Sequence, residues 1–192
     1  MIQSKEDYKE YLRLDFAATR EIVPGRMFVE YLKGNLRAYS KYKFIKALRW
    51  AEYCENCLKD KSPLGTVLYL YSKRELQKIQ LKTQLFIHTN CLGPGLNLEH
   101  PGFVWIDESS IVGKNCTVLP RVLLGKKNPN VKVPNIIIGD NCYIGTGSTM
   151  LGPVQIGNNV VIAAGSVVIN DIPDNCMVAG NPAVIKKINT TG

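Results

Sequence analysis

The chain has 192 residues, of which 45% are hydrophobic and 21% are charged, so it is long enough to bury a core as one large or two small domains. No apolar run reaches the roughly 18 residues that a membrane-spanning helix needs. The charged N-terminus MIQSKEDYKEYL has no apolar signal-peptide core, so we expect a cytoplasmic protein with neither a secretion signal nor a transmembrane segment.

The net charge of +8 belongs almost entirely to the N-terminal part. Residues 1–85 carry seventeen Lys and Arg against ten Asp and Glu, whereas residues 86–192 carry seven against six. Such a bias is typical of a solvated basic surface, of a surface that attracts anionic ligands or membranes, or of nucleic-acid binding. We expect no nucleic-acid partner.

The first predicted elements are helices. Ser4 and Asp7 form a capping box that opens a first helix through Arg13. A second helical pattern runs from about residue 37 to 58. Its apolar face contains Phe44, Ile45, Leu48, Ala51 and Leu58.

A third helix is predicted to begin at Ser62-Pro63, which suits the N-cap and first helical positions. Its apolar and aromatic stripe is expected to pack in a helical core. The stripe comprises Leu64, Val67, Leu68 and Tyr71. We therefore predict an α-helical N-terminal domain over residues 1–83.

Six cysteines in a cytoplasmic chain are expected to be reduced thiols. Cys54 and Cys57 form a CxxC pair within the helical pattern, without a second pair or a histidine cluster beside it. A zinc site needs about four ligands, so we interpret these cysteines as small helix side chains and expect no bound metal.

After residue 85 the chain repeats with a period of six. The repeating aliphatic positions are Val112, Val118, Leu124, Ile138, Ile144, Met150, Ile156, Ile162 and Val168, preceded by the offset run Leu92, Leu98 and Val104. A smaller residue follows four positions later in the main run, at Cys116, Val122, Cys142, Ser148, Val154, Val160 and Ser166. A period of six residues fits neither an α-helix, with 3.6 residues per turn, nor an alternating hairpin strand. It predicts short strands that each point one aliphatic inward and must stack to bury it.

The repeat region resembles the hexapeptide-repeat acyltransferases, and within them the serine acetyltransferases and related acetyltransferases of polysaccharide assembly. The segments that carry the resemblance are GPGLNLEHPGFVWI, VGKNCTVLPRVLLG, IGDNCYIGTGSTMLGPVQIG and AAGSVVINDIPDNCMVAGNPAVI. This resemblance implies a mainly β fold, a left-handed parallel β-helix over residues 84–192, after the helical N-terminal region. It also implies a homotrimer, or a dimer of trimers, with acetyl-CoA bound in grooves between neighbouring subunits.

The resemblance implies that Glu99-His100 occupies the place of the family's Asp-His pair. His100 would then be the base that deprotonates an acceptor hydroxyl, a task that suits an imidazole near neutral pH. The only other histidine, His88, is interpreted as structural. The residues expected to bind CoA are Gly125, Gly145, Thr146, Ala163, Ala164, Lys186 and Lys187.

The sequence departs from the family at two places. Phe86 stands where serine acetyltransferases have the carboxylate that orients the base, so Glu99 or Asp107 would have to replace it. The region NVKVPNIII lacks the family's Arg-His pair that holds the serine carboxylate, although it contains Lys132. Lys132 and Asp107 are therefore the substrate-binding candidates.

Fourteen residues separate Leu124 from Ile138, instead of six. The excess predicts a projecting loop over residues 126–135, and long loops on rigid scaffolds usually carry function. Its lysines are candidates for contacting CoA phosphates or an acidic acceptor.

These features predict an acetyl-CoA-dependent O-acetyltransferase that modifies a small or sugar-linked hydroxyl. The missing Arg-His pair favours a saccharide hydroxyl over L-serine as the acceptor. Authentic serine acetylation, acetylation of an amino group, a zinc carbonic anhydrase and a non-catalytic scaffold are the alternatives. The zinc enzyme would need three histidines at each site, whereas the chain has two.

Overall fold

The computed structural model describes residues 1–19, 21–128, 130 and 135–188. Its N-terminal part contains four α-helices: α1 (Lys5–Ala18), α2 (Met27–Leu32), α3 (Leu36–Tyr53) and α4 (Pro63–Thr83). The first strand begins at Leu85, so the change in secondary structure falls where the sequence pattern places it.

Both predicted helix starts are confirmed. The Ser4 hydroxyl accepts a hydrogen bond of 2.9 Å from the backbone N–H of Asp7, and Ser62 accepts one of 3.0 Å from Gly65. These bonds satisfy amide donors that have no partner inside the helix. Helix α3 continues into a π-helical turn at Cys54–Leu58, where the side chains of Cys54 and Cys57 are buried.

The rest of the described chain is a coil of short strands. In chain order these are β1 (Leu85–Ile87), β2 (Asn97–Leu98), β3 (Val104–Ile106), β4 (Ser110–Val112), β5 (Thr117–Val118), β6 (Val122–Lys126), β7 (Ile136–Ile138), β8 (Tyr143–Ile144), β9 (Thr149–Gly152), β10 (Val154–Ile156), β11 (Val161–Ile162), β12 (Val167–Val168), β13 (Cys176–Gly180) and β14 (Ala183–Ile188).

The strands form three sheets, one on each side of the coil. Sheet A contains β1, β3, β6, β9 and β12; sheet B contains β4, β7 and β10; sheet C contains β2, β5, β8, β11, β13 and β14. From β3 to β12, successive strands pass from A to B to C and back to A, and all pairs are parallel except β13 with β14. Parallel partners therefore lie one full coil apart along the chain.

The interior of the coil confirms the six-residue repeat. Every aliphatic of the repeat is at most 5% exposed, and each smaller residue four positions later is at most 3% exposed. Parallel pairing places identical repeat positions on top of one another, as Val118 and Ile144 do in sheet C. Stacking thus buries an apolar face that no single coil could bury alone.

A column of asparagines lines the turns that lead from sheet B to sheet C. Asn115, Asn141, Asn159 and Asn175 all have φ between 55° and 60°, a left-handed conformation that asparagine tolerates better than most residues. Their side-chain amides also hydrogen-bond from coil to coil, at 3.3 Å, 3.3 Å and 2.8 Å. The column fixes the turn geometry of successive coils.

Arg49 of α3 joins the helices to the first coil. Its guanidinium is fully buried, lies 2.8 Å from Asp15 of α1 and 2.9 Å from Glu52, and donates to the carbonyls of Leu92 and Gly93. Burial disfavours its charge, but the two carboxylates outweigh that effect and raise the pKa of Arg49. The helices and the β-helix consequently share one continuous core.

Of the four residues predicted as the core stripe of α4, three are exposed and Leu68 is half-buried, so the prediction is wrong for those three. Leu64 is 67% exposed, and Val67 and Tyr71 are each 60% exposed. Helix α4 instead buries Gly65, Ser72 and Leu76, because small residues let it approach its neighbours closely. Among the described residues, no helix is both long and apolar enough to cross a membrane.

Candidate functional site

His100 lies on one edge of the coil, which we call the C–A edge. This edge consists of the turns from sheet C to sheet A, at residues 99–103, 119–121, 145–148 and 163–166. The buried Leu98 ends β2, and the chain then turns outward so that Glu99 and His100 are exposed. The candidate base is therefore held by a rigid strand and remains accessible to solvent.

Arg37 of α3 contacts the imidazole of His100 directly. Its Nη2 lies 2.6 Å from Nδ1 of His100. A guanidinium is always charged and has no acceptor, so Nδ1 must accept this hydrogen bond. In the neutral ring the proton consequently lies on Nε2.

Glu21 and Lys41 extend this contact into a charged network. Nζ of Lys41 lies 2.6 Å from Glu21 and donates to the backbone carbonyl of Glu99 at 3.2 Å, while Arg37 lies 3.3 Å from Glu21. Lys41 is only 2% exposed. The hydrogen bond from Lys41 lowers the pKa of Glu21, burial opposes this, and the charges of Lys41, Arg37 and His100 lower it further.

A cavity of about 350 Å³ opens beside the network. Its lining residues are Ala18, Thr19, Glu21, Lys41, Asn97, Glu99, Thr117 and Tyr143. The Thr19 hydroxyl is buried and has no hydrogen-bond partner among the described residues. The cavity wall thus includes a buried cation, Lys41, and two acidic residues, Glu21 and Glu99.

The carboxylate that would orient the base is absent from its expected place. Phe86 packs against Phe103 and Trp105, with ring centroids 6.1 Å and 5.8 Å apart. The Glu99 carboxylate accepts a hydrogen bond of 2.9 Å from Asn97. Glu99 is a candidate for orienting the imidazole, but Nδ1 of His100 instead accepts a hydrogen bond from Arg37.

Asp107 lies on a different edge of the coil from His100. It follows β3 on the A–B edge, where the chain turns from sheet A to sheet B. Its carboxylate accepts from the backbone and hydroxyl of Ser109 and lies 3.9 Å from Lys126. Burial raises the pKa of Asp107, but the Ser109 hydrogen bonds and the Lys126 charge together lower it.

Several residues expected to bind CoA share the C–A edge with His100. The Thr146 hydroxyl donates to the carbonyl of Pro120 at 2.6 Å, and Gly165 donates to the carbonyl of Thr146 at 2.8 Å. Parallel strands are about 4.8 Å apart, which places Thr146 two coils, or about 10 Å, along the stack from His100, and Ala164 about 14 Å along it. Thr146 and Ala164 are exposed and Ala163 is half-buried.

Gly145 belongs to the packing of this edge. A Cβ on Gly145 would lie 2.6 Å from the backbone nitrogen of Ala164 and 2.6 Å from the carbonyl oxygen of Ile162. The next coil therefore occupies the space where a side chain would be, and Gly145 is buried.

The remaining CoA candidates do not gather at His100 within one chain. Gly125 lies at the end of β6, near the A–B edge, where its carbonyl accepts from Asn135 at 3.4 Å. Lys186 and Lys187 lie on β14, which runs back antiparallel, so that Lys187 pairs with Met177. The reversal places both lysines on the face of sheet C, away from the C–A edge.

The predicted loop over residues 126–135 is described at residues 126–128, 130 and 135. Lys126 is the last residue of β6, and Asn135 is buried, donating its backbone N–H to Ser109 at 2.8 Å. The expectation that the loop projects as far as Asn135 is therefore wrong. Lys132, the substrate-binding candidate, lies outside the described residues.

His88 lies at the end of β1, near the A–B edge, and is exposed. Its backbone N–H donates to the carbonyl of Ile106 at 3.3 Å, and its side chain borders a small cavity with Phe86 and Trp105. The two histidines are thus separated by sheet A, and only His100 faces the charged network.

Sequence reasoning missed Arg37, Lys41 and Glu21. Arg37 and Lys41 are four residues apart and so lie on one face of α3, which is the signal that was available. Glu21 comes from the connection after α1. Only the packing of these helices against the turn after β2 brings the three to His100.

The sequence model of the family described as bacterial transferase hexapeptide (six repeats) matches residues 135–170. The serine acetyltransferase of Synechococcus elongatus is 38% identical over 104 residues, which cover 54% of this chain and 43% of that protein. The chain thus spans less than half the length of this relative.

Two solved structures resemble almost the whole chain. A serine acetyltransferase from Brucella abortus in complex with coenzyme A is 27% identical, with a TM-score of 0.73 over 98% of this chain and 71% of that one. A soybean serine acetyltransferase complexed with serine is 28% identical, with a TM-score of 0.72 over 94% and 70%. The expected left-handed β-helix and the resemblance to hexapeptide-repeat serine acetyltransferases are confirmed.

Proposed function

We propose that this chain is an acetyl-CoA-dependent O-acetyltransferase in which His100 is the general base. The observation that carries the proposal is the position of His100, exposed on the same edge as Thr146 and Ala164. Small and exposed residues on successive coils leave a strip along which an extended acyl carrier fits. The similarity to a structure solved with coenzyme A supports this use of the edge.

The chemistry requires one proton to be moved twice. His100 removes the proton of the acceptor hydroxyl while that oxygen attacks the thioester carbonyl. The carbon–sulfur bond breaks, the acetyl group stays on the acceptor oxygen, and His100 returns the proton to the departing sulfur. His100 must present an unprotonated ring nitrogen to the acceptor, so its tautomer and its contact with Arg37 bear directly on activity.

For the acceptor, we propose a small hydroxyl compound, with L-serine as the first candidate. The relatives are named serine acetyltransferases, and one similar structure contains serine. The saccharide hydroxyl, which the absent Arg-His pair favours at the level of sequence, has no support from these comparisons. It remains the second acceptor class to be tested.

We further propose that the site is completed by a neighbouring subunit in a homotrimer. Within one chain the candidate residues occupy two separate edges: His100 and Thr146 lie on the C–A edge, whereas Gly125 and Asp107 lie near the A–B edge. Three-fold packing would place the A–B edge of one subunit against the C–A edge of the next. Sedimentation velocity at micromolar concentration should give three times the chain mass, and a monomer would contradict the proposal.

The decisive experiment for the activity is an assay of acetyl-CoA consumption. The wild-type protein and His100→Ala would be compared over L-serine, free sugars and nucleotide-sugars. We expect turnover with at least one hydroxyl acceptor and loss of that turnover in the variant. The absence of acceptor-dependent CoA release by the wild-type protein across the panel would contradict the proposed activity.

A further inference from the structure

The charged network beside His100 contains two cations, Arg37 and Lys41, that acetyl transfer does not itself require. Arg37 and Lys41 project from one face of α3, and Glu21 bridges both of them. Burial of a lysine costs free energy unless the charge is paired, and Lys41 is 2% exposed. Among the described hydrogen bonds of Lys41, one ammonium donor goes to Glu21 and one to the Glu99 carbonyl, so its third donor is available to a ligand.

We propose that Arg37 and Lys41 bind the carboxylate of the acceptor, and that this binding draws Arg37 away from Nδ1 of His100. The inference rests on the proposed function, because it assigns the acceptor class of the same site. It makes an α-amino or hydroxy acid such as L-serine the preferred acceptor, in place of a neutral sugar.

The geometry supports a carboxylate between these two cations. Arg37 offers a planar fork that matches the two oxygens of a carboxylate, and Lys41 offers a compact point charge. Thr19 lines the same cavity as Lys41, and its buried hydroxyl has no hydrogen-bond partner among the described residues. A cavity of about 350 Å³ is large enough for a small amino acid.

The same residues replace a missing binding group. The region NVKVPNIII contains neither arginine nor histidine, so it offers a carboxylate no guanidinium. Helix α3 provides one instead, because Nη2 of Arg37 lies 2.6 Å from Nδ1 of the candidate base. A carboxylate that lies at Arg37 is therefore close enough for a hydroxyl on the same small molecule to reach His100.

The balance of charge favours a zwitterion. Arg37 and Lys41 are both paired with the carboxylate of Glu21, and Glu99 lines the same cavity as Lys41 and Glu21. An acceptor carboxylate must compete with Glu21 for the cations. An acceptor that also carries an ammonium group can pair that group with the displaced carboxylate of Glu21. A neutral sugar carries neither charge.

The contact between Arg37 and His100 couples acceptor binding to the base. While Arg37 donates to Nδ1, the neutral imidazole carries its proton on Nε2, which then cannot accept a hydroxyl proton. Movement of Arg37 onto the carboxylate leaves Nδ1 free either to accept the proton or to receive it from Nε2. The base is thus released only when an anionic acceptor is present.

The test compares L-serine with 2-aminoethanol, which is serine without its carboxylate. Calorimetry would measure binding of both compounds, and kinetics would measure KM and kcat, for the wild-type protein, Arg37→Ala, Arg37→Lys and Lys43→Ala. Lys43 is an exposed cation of the same helix, so Lys43→Ala controls for the loss of net charge.

We expect Arg37→Ala to weaken L-serine binding at least tenfold, the usual loss for a charged hydrogen bond, with little change in the binding of 2-aminoethanol or CoA. Arg37→Lys should recover part of the loss, and Lys43→Ala should resemble the wild type. The preference for L-serine over 2-aminoethanol should collapse only in the Arg37 variants.

Equal affinity of the wild-type protein for the two compounds, or no binding of L-serine, would overturn the inference, as would an unchanged preference in Arg37→Ala. A different result would show that only the proposed function fails. L-serine would then still bind in a way that depends on Arg37, but no hydroxyl compound would be acetylated. Circular dichroism of each variant would establish that it is folded before its binding is interpreted.

Discussion

Arg37 and His100 are 63 residues apart in the sequence, yet Nη2 of Arg37 lies 2.6 Å from Nδ1 of His100. The donor is permanently charged, so the direction of the hydrogen bond is fixed. The tautomer of the candidate base is thereby set by a helix that the repeat pattern does not include.

This contact predicts the proton position in the free protein. In ¹⁵N NMR spectra at alkaline pH, His100 should appear as the Nε2–H tautomer, and Arg37→Ala should give a mixture of the two tautomers. The spectrum is simple because the chain has two histidines, and His88→Gln identifies the other signal. A His100 ring protonated at Nδ1 in the free wild-type protein would contradict the observed contact.

Loss of the base should affect catalysis without affecting CoA binding. We expect His100→Ala to lower kcat for acetyl transfer by about 10²–10⁴-fold, the usual contribution of a general base, while the Kd for CoA stays within about twofold. His88→Ala is the matched control, because His88 lies on the other side of sheet A and does not contact the charged network. Equal losses of activity in the two variants would argue against His100 as the base.

The buried ion pair between Asp15 and Arg49 should be essential for stability. Asp15→Ala leaves a fully buried guanidinium with one fewer carboxylate, which typically costs about 3–5 kcal/mol. Denaturant unfolding would measure the loss. Glu10→Ala, which removes an exposed ion pair with Arg13 of the same helix, should leave the unfolding midpoint almost unchanged.

Adjacent isoleucines of β7 provide a test of the coil interior. Ile138 is 2% exposed and Ile137 is 36% exposed. Ile138→Ala should lower the free energy of unfolding by about 2–5 kcal/mol through the cavity it leaves. Ile137→Ala should cost clearly less in the same urea titration, and equal losses would contradict the inward direction of Ile138.

The cysteines should react slowly in the folded protein, because all six are buried. Burial, together with the charges of Glu52 and Asp107, raises the pKa of the Cys91 thiol to about 12. Ellman's reagent at pH 8 should therefore modify the native protein slowly and the guanidinium-unfolded protein rapidly. Fast labelling of Cys91 in the native state would contradict this assignment.

The raised pKa of Cys91 also makes the stability of the protein depend on pH. The unfolded Cys91 thiol ionises near its ordinary pKa of about 9, whereas the folded one keeps its proton until about 12. Its contribution to stability is therefore complete below about pH 9 and is lost progressively as the pH rises towards 12. Unfolding midpoints measured from pH 8 to 11 should fall, and Cys91→Ser should reduce the slope.

Much of the fold could be predicted because its determinants are local and periodic. Val118, Ile144 and Ile162 belong to the six-residue repeat, so the spacing alone indicates that they point inward. Ser4 and Ser62 predict helix starts because a cap needs only its own next few residues. His100 could be singled out by its place in a motif, since the chain has only one other histidine.

The surroundings of the candidate site were decided by tertiary structure. Glu21, Arg37 and Lys41 meet Glu99 and His100 only because the helices pack against the turn after β2, and a contact across 63 residues leaves no local signal. Lys187 turned out to lie on sheet C because β14 reverses direction, which its sequence does not indicate. The sequence by itself therefore determined the coil and its candidate base, whereas the tertiary structure decided which charges surround that base, because long-range electrostatic partners depend on how separate elements pack.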